Sequence, residues 1–409
     1  MTSSYSLKGC FNHAFLILSM SLSCAADIPQ EDLFLKPPLV VKEAAEMQHY
    51  LNPTRKWQGI PGLERTSSGR LWATWYTGGS GEGRDNYIVL VTSHDDGQTW
   101  SPPKVIVNPL GLVRAFDPCV WIDPQGRLWL FWAQGYHGND VTYHKFDNYQ
   151  QRAGVWAMVT ENPADPDPVW SEPRRLCDGV VMNKPLVRAN GEWLLPASVW
   201  DSKKGIPSPE NTGANVMVST DEGQTWAFRG RVIPPSRTFD EHNLDEDKDG
   251  VLRMWTRTHM GAAESLSLDG GKTWSEARFR KDMSPTASKV FVRRLKSGRL
   301  LLVSNLPPEG KKRTHLTARL SDDNGASWSQ GLLLDEREEG TGVSYPDGVE
   351  GSDGLIRVIY DLDRDRTGQI LMAAFTEEDV LKGQWLSPSA RSKQLIDRLI
   401  VAEGSPDQN

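Results

Sequence analysis

Short apolar runs and turn residues alternate along this chain, and the runs return at regular intervals. Six segments share one plan, a polar turn closed by glycine and followed by apolar residues: SGRLWATW (68–75), QGRLWLFW (125–132), NGEWLLPA (190–197), DGVLRMWT (249–256), SGRLLLVS (297–304) and DGLIRVIY (353–360). Their glycines, Gly69, Gly126, Gly191, Gly250, Gly298 and Gly354, recur every 48 to 65 residues. Apolar runs of this length, entered through glycine turns, predict buried strands. A short helix is expected over TEEDVLKG (376–383), outside the repeating plan.

A second repeat interleaves with the first. SHDDGQTW (93–100), STDEGQTW (219–226), SLDGGKTW (267–274) and SDDNGASW (321–328) share the pattern S-x-D-x-G-x-[TS]-W, and TENPADPDPVW (160–170) is a degenerate fifth copy. The pattern suits a hairpin turn. Its aspartate accepts backbone hydrogen bonds, its glycine supplies a positive φ, and its tryptophan packs back between sheets. Asp95, Asp221, Asp269 and Asp323 are therefore read as turn staples and not as catalytic carboxylates. Six strand-turn units at this period predict an all-β chain folded as a six-bladed β-propeller with hairpins of the repeated aspartate pattern. Each apolar run is taken as an inner strand around the axis. Residues 27–55 are expected to be a leader closing the ring against the last blade near ILMAAF (370–375). The propeller itself is placed at 56–390 and a tail at 391–409, with no second domain.

Charge and composition narrow the function. Lysine and arginine number 46 against 53 aspartate and glutamate, a formal charge of -7. This argues against electrostatic binding of nucleic acid, which requires a basic face. Sixteen tryptophans suit core anchors, sugar-stacking platforms, or both. Lys8, the apolar stretch Ala14–Leu22 and the small residues at 23–26 predict an export signal over 1–26 and a secreted or periplasmic protein. A lipid anchor at Cys24 is less favoured, because Ser21 stands where such signals carry leucine. No later segment is apolar enough to span a membrane. Loss of the signal leaves Cys119 and Cys177, as one disulfide or as two buried thiols.

The remaining polar clusters lie near the predicted inner strands. RTFDEHNLDED (237–247) leads to Arg257, Arg313 precedes the last full octapeptide, and SYPDG (344–348) leads into the final strand. In order and spacing, Glu241, Arg257, Arg313 and Tyr345, together with SDG (352–354), VIYD (358–361) and the octapeptides, resemble the sialidase superfamily with its Asp-box (BNR) repeats. The resemblance covers nearly the whole mature chain. It implies an exo-acting, retaining glycoside hydrolase in which Glu241 activates Tyr345 as nucleophile. Tyrosine suits an anomeric carbon that bears a carboxylate, since an anionic nucleophile would be repelled. Arg257 and Arg313 would grip that carboxylate through paired hydrogen bonds.

The chain departs from the family pattern twice. An arginine expected in an F-R-I-P motif is replaced by Gly59 in QGIP (58–61), and WYTGGSGEGRDN (75–86) has no aspartate in register for the acid/base. Glu82 and Asp85 are the candidate replacements for the acid. Arg114, Asp117, His137, Asn183, Lys184 and His242 are candidate substrate-binding residues. The expected substrate is a glycan carrying an acidic or substituted sugar. A polysaccharide lyase using Tyr345 or His137 as base, and a non-catalytic carbohydrate-binding propeller, remain as alternatives. No cofactor or metal is expected. His137 and His144 have no ligand spacing, and DEDKDG (245–250) lacks the glutamate that would complete a calcium loop.

Overall fold

The computed structural model describes Met1 and residues 30–51, 54–109, 111–137, 153–201 and 210–400. The expected export signal (apart from Met1), the Cys24 anchor, His144 and the end of the tail lie outside the described residues. Six antiparallel sheets follow one another, each assembled from strands of one stretch of chain. Their first strands are Gln58–Arg65, Val113–Ile122, Leu186–Val187, Arg237–Glu246, Phe291–Arg294 and Val343–Glu350.

These first strands surround the axis. Lys184, just ahead of Leu186–Val187, donates to the carbonyls of Leu63 at 2.6 Å and Val120 at 2.7 Å. It also pairs with Asp347 at 3.1 Å and Glu64 at 3.4 Å, so one ammonium touches the first, second and sixth sheets. The apolar runs expected to be innermost are instead the second strands: Leu71–Thr77, Leu128–Tyr136, Trp193–Val199, Leu252–Thr258, Leu300–Asn305 and Ile356–Leu362. Their continuous apolar character reflects burial on both faces, between neighbouring blades. The axial strands carry the polar residues.

The repeated octapeptides form the expected turns. In the third blade Ser219 Oγ donates to Asp221 Oδ1 at 2.7 Å, Gly223 N–H donates to Ser219 Oγ at 2.8 Å, and Thr225 N–H donates to Asp221 Oδ1 at 2.9 Å. The hydroxyl and backbone donors of Thr225 hold the Asp221 carboxyl down at about 2. The turn glycines press on the blade before them. A Cβ at Gly97 would lie 2.4 Å from Met372 of the sixth blade, and one at Gly223 would lie 2.9 Å from Trp129 of the second. The degenerate copy keeps its anchor: Trp170 is buried edge-on against Trp72.

Among the described residues, the first and last blades meet without exchanging a strand. Ile60 N–H donates to Asp361 Oδ2 and Leu63 N–H to Asp347 Oδ2, both at 2.8 Å, and Gln58 Nε2 donates to the Gly368 carbonyl at 2.6 Å. The leader strand Leu39–Val41 pairs with Val105–Asn108 at the outer edge of the first blade. Its Val41 and the nearby Met47 share a cluster with Ile370 and Met372 of the last blade. The break placed at 390 falls ahead of a further strand, Arg391–Asp397, which completes the sixth sheet. The expected helix is Glu377–Lys382, with a capping box at Thr376 and Gly383 at its end. Cys119 and Cys177 are buried free thiols, each pushed up to about 12 by burial.

Gly126 and Gly223 share a φ of +82°, but a Cβ at Gly126 meets nothing within 4 Å. Gly126→Ala is therefore expected to cost about 1–2 kcal/mol from backbone strain alone. Gly223→Ala should cost a further ~1–3 kcal/mol of overpacking. Urea unfolding midpoints of the two variants check the difference.

Candidate active site

Four of the six axial strands break their pairing near one mouth of the ring, with register shifts at Gly59/Gly62, Phe116/Cys119, Arg237/His242 and Ser344/Asp347. Within each break lies a residue of positive φ: Ile60 at 56°, Asp117 at 48°, Asp240 at 44° and Tyr345 at 52°. A bulge of this kind re-aims side chains that strict alternation would send between the blades. Ile60, Asp117 and Tyr345, with Glu241 beside Asp240, line one cavity of about 210 Å³. Tyr76, Glu82, Arg114, Trp200, Phe239, Arg257, Arg313 and Arg364 complete its wall.

On one side stands a closed triangle. Tyr345 Oη donates to Glu241 Oε1 at 2.8 Å, and Arg257 NH1 lies 2.6 Å from both of those oxygens. All three residues are buried. Burial pushes the Tyr345 phenol up, and Glu241 adds to this, while Arg257, Arg313 and Arg364 pull it down. The phenol thus keeps its proton at neutral pH and needs a base; Glu241 is within proton-transfer reach. Three guanidinium groups surround the ring, with their central carbons 4.2 Å (Arg364), 5.3 Å (Arg313) and 6.0 Å (Arg257) from its centroid.

The facing wall carries Tyr76, Glu82, Arg114 and Asp117. Burial drives the Asp117 carboxyl well above the usual carboxylate range; Arg114 opposes this and the charges of Glu82 and Glu241 reinforce it. Asn86 fixes which acid of the preceding loop turns inward. Its amide donates to the carbonyls of Gly78 at 3.0 Å and Gly81 at 2.9 Å, and its oxygen accepts from Gly83 N–H at 2.6 Å. Glu82 then lines the cavity, 3.5 Å from Arg364. Asp85 is exposed and pairs with Arg84 at 3.4 Å, outside the cavity lining.

Four further sequence candidates lie away from the cavity lining. His137 is buried past the end of its strand, its N–H donating to the Leu112 carbonyl. Asn183 donates to the His242 carbonyl at 2.8 Å, and Lys184 serves the axial cluster described above. His242 faces between blades, with Nδ1 2.9 Å from the Asp240 carbonyl and Nε2 2.9 Å from that of Asn215. It alternates with Glu241 along a strand, so the two side chains take opposite faces. DEDKDG is a polar turn, in which Asp247 Oδ1 accepts from the backbone of Asp249 and Val251.

Sequence reasoning missed the aromatic side of the cavity, Tyr76, Trp200 and Phe239, and above all Arg364. Arg364 follows the last blade's second strand, where its Nε donates to Asp361 Oδ2 at 2.9 Å and its NH2 to Ser344 Oγ at 3.2 Å. The signal was present as Asp361-x-x-Arg364, but nothing in the sequence says that this turn folds back onto residue 59.

A ring of six antiparallel blades, five of four strands and the first of five, with Asp-box turns and a tyrosine–glutamate–arginine mouth, defines a sialidase-type propeller. Residues 56–358 match the family described as BNR repeat-like domain, and the chain belongs to it as a divergent member of the sialidase superfamily. A sialidase of Bacteroides fragilis is 25% identical over 310 residues, 68% of this chain and 55% of that protein. The chain thus spans about half the length of this curated relative. Among solved structures, a Hadza microbial sialidase superposes with a TM-score of 0.62 at 20% identity, covering 79% of this chain and 66% of its own. The intramolecular trans-sialidase of Ruminococcus gnavus gives 0.60 at 15% identity, over 82% and 96%. Among the described residues, no helix is long and apolar enough to cross a membrane.

Burial holds the His242 imidazole down at about 4, against the two backbone contacts that favour its charged form. A histidine depressed in the folded state contributes its full stability above pH ~6.5 and loses it as pH falls toward 4, because the unfolded chain takes up the proton first. Stability should fall by on the order of 3 kcal/mol across this window from His242 alone. Urea midpoints from pH 7 to 4 should show a flatter slope for His242→Gln.

Proposed function

We propose that the chain is a retaining exo-glycoside hydrolase for an acidic or substituted sugar at a glycan terminus, with Tyr345 as nucleophile and Glu241 as its base. The triangle of Tyr345, Glu241 and Arg257 carries this reading. The phenol is too weakly acidic to ionise unaided, and its hydrogen bond already points at the carboxylate that would take the proton. Arg257 lies against both oxygens and stabilises the charge as it moves from one to the other.

The cations around Tyr345 suit a sugar whose carboxylate sits next to the reacting carbon, where a neutral nucleophile meets less repulsion than an anionic one. Attack by Tyr345 Oη forms a bond to the anomeric carbon as the glycosidic bond breaks and the phenol proton passes to Glu241. The leaving oxygen takes a proton from the facing wall, and water then cleaves the glycosyl–tyrosine acetal as that wall takes the water's proton and Glu241 returns its own to the phenolate. Glu82 and Asp117 are the candidate donors on that wall; burial raises the Asp117 carboxyl and so favours its protonated form, and Glu82 lies on the loop nearest the place where the family carries its acid. The bases named for a lyase do not fit as well, since His137 is outside the cavity lining and Tyr345 is already engaged by a carboxylate. Export by the segment 1–26 belongs to the same reading and rests on its sequence pattern alone.

Fluorogenic glycosides of sialic and uronic acids, incubated with the mature protein, test this. Release from one acidic sugar is expected, with kcat reduced at least ~10³-fold in Tyr345→Phe and ~10²-fold in Glu241→Gln. Whichever of Glu82→Gln and Asp117→Asn removes the acid should retain activity on an activated aryl leaving group and lose it on a natural glycoside. Turnover unaffected by Tyr345→Phe would sink the proposal.

A further inference from the structure

We propose that Arg364 is a substrate-anion-binding residue, supplying from the last blade the cation that the first blade has no room to carry at position 59. The inference rests on the acidic-sugar reading and adds a residue to it. A Cβ built on Gly59 would lie 2.8 Å from Arg364 Cδ and 2.9 Å from its Cγ and Nε. The stem of Arg364 therefore fills the volume in which any side chain at 59 would begin, and the two positions exclude one another.

The arginine is held as a binding group and not as a loose surface charge. Gln58 N–H donates to its carbonyl at 3.1 Å, Asp361 takes its Nε and Ser344 its NH2. NH1 meets Glu82 only at 3.5 Å, the outer limit of a hydrogen bond, and the group lines the cavity beside the Tyr345 ring. Burial opposes its charge, but Asp361, Tyr345 and Glu82 outweigh burial and keep it protonated. Arg257, Arg313 and Arg364 thus converge on one cavity, and a bound carboxylate offsets their mutual repulsion.

The test uses four folded variants: Gly59→Ala, Arg364→Ala, the two combined, and the exchange Gly59→Arg with Arg364→Gly. Thermal midpoints report the steric exclusion. Gly59→Ala should lower the midpoint in the parent and leave it unchanged in the Arg364→Ala background. Calorimetric titration with the sugar acid released in the glycoside panel, and with its neutral amide, reports the charge. Arg364→Ala should weaken the acid at least ~10-fold and the amide less than ~3-fold, and the exchange should recover most of the loss. Equal weakening of acid and amide, or a folded exchange variant that recovers nothing, overturns the assignment. If the parent hydrolyses only neutral glycosides and binds no sugar acid, the acidic-sugar reading fails with it. The Arg364→Ala titration separates the cases: an acid bound equally well with and without Arg364 removes this residue and spares that reading.

Discussion

Asp361 is the joint on which ring and site both depend. It is fully buried, and its two oxygens accept from the Ile60 N–H of the first blade, the Ser344 hydroxyl of its own blade and Arg364 Nε. A ring whose sheets are each made from one stretch of chain has no exchanged strand to lock its ends together. The closure is made by carboxylates reaching across the seam to backbone donors, here and at Asp347 with Leu63. A buried carboxylate is stable only when its lone pairs are filled, so these contacts come as a set. Loss of Asp361 would open the seam and release a cation beside Tyr345 in one step.

The mouth is built by breaking the regularity of the axial strands. Strict alternation sends successive side chains toward the blades on either side. Bulges at Ile60, Asp117, Asp240 and Tyr345 interrupt that alternation at the same level in four blades and bring acids, arginines and the phenol to one cavity. Positive φ at residues other than glycine costs on the order of 1–2 kcal/mol each, and the surrounding ladders supply it. Deeper along the axis alternation resumes, and there Lys184, Lys289 and Asp347 form a charged plug. Lys289 Nζ donates to the Pro346 carbonyl at 3.0 Å, directly behind Tyr345. The plug backs the strand that carries Tyr345, and its three residues are not part of the cavity lining.

What could be read from the sequence follows from how local each signal is. An Asp box is a complete hydrogen-bonded turn within eight residues and marks the blade type, while the six glycine-entered apolar runs give the blade count before any long-range contact is known. Glu241, Arg257, Arg313 and Tyr345 were legible through order and spacing, and all four line the cavity. His242 was not separable from them, because the facing of a strand residue flips with a one-residue change of register, and Asn183 and Lys184 lie in the loop ahead of Leu186–Val187, where no strand period says which way a side chain turns. Glu82 was not separable from Asp85 either; Asn86, through three hydrogen bonds, decides between them. Arg364 was missed because its meaning lies at Gly59, at the other end of the chain, and only closure of the ring brings the two together.

In the proposed reaction Tyr345 attacks the anomeric carbon and forms a covalent intermediate. Proton NMR of the first anomer released from the accepted glycoside, recorded before mutarotation, tests this most directly. Two displacements at the same carbon return the starting configuration, so a product of retained configuration is expected. An inverted first product would mean that water attacks directly, and that the pairing of Tyr345 with Glu241 serves to bind substrate and not to break the bond.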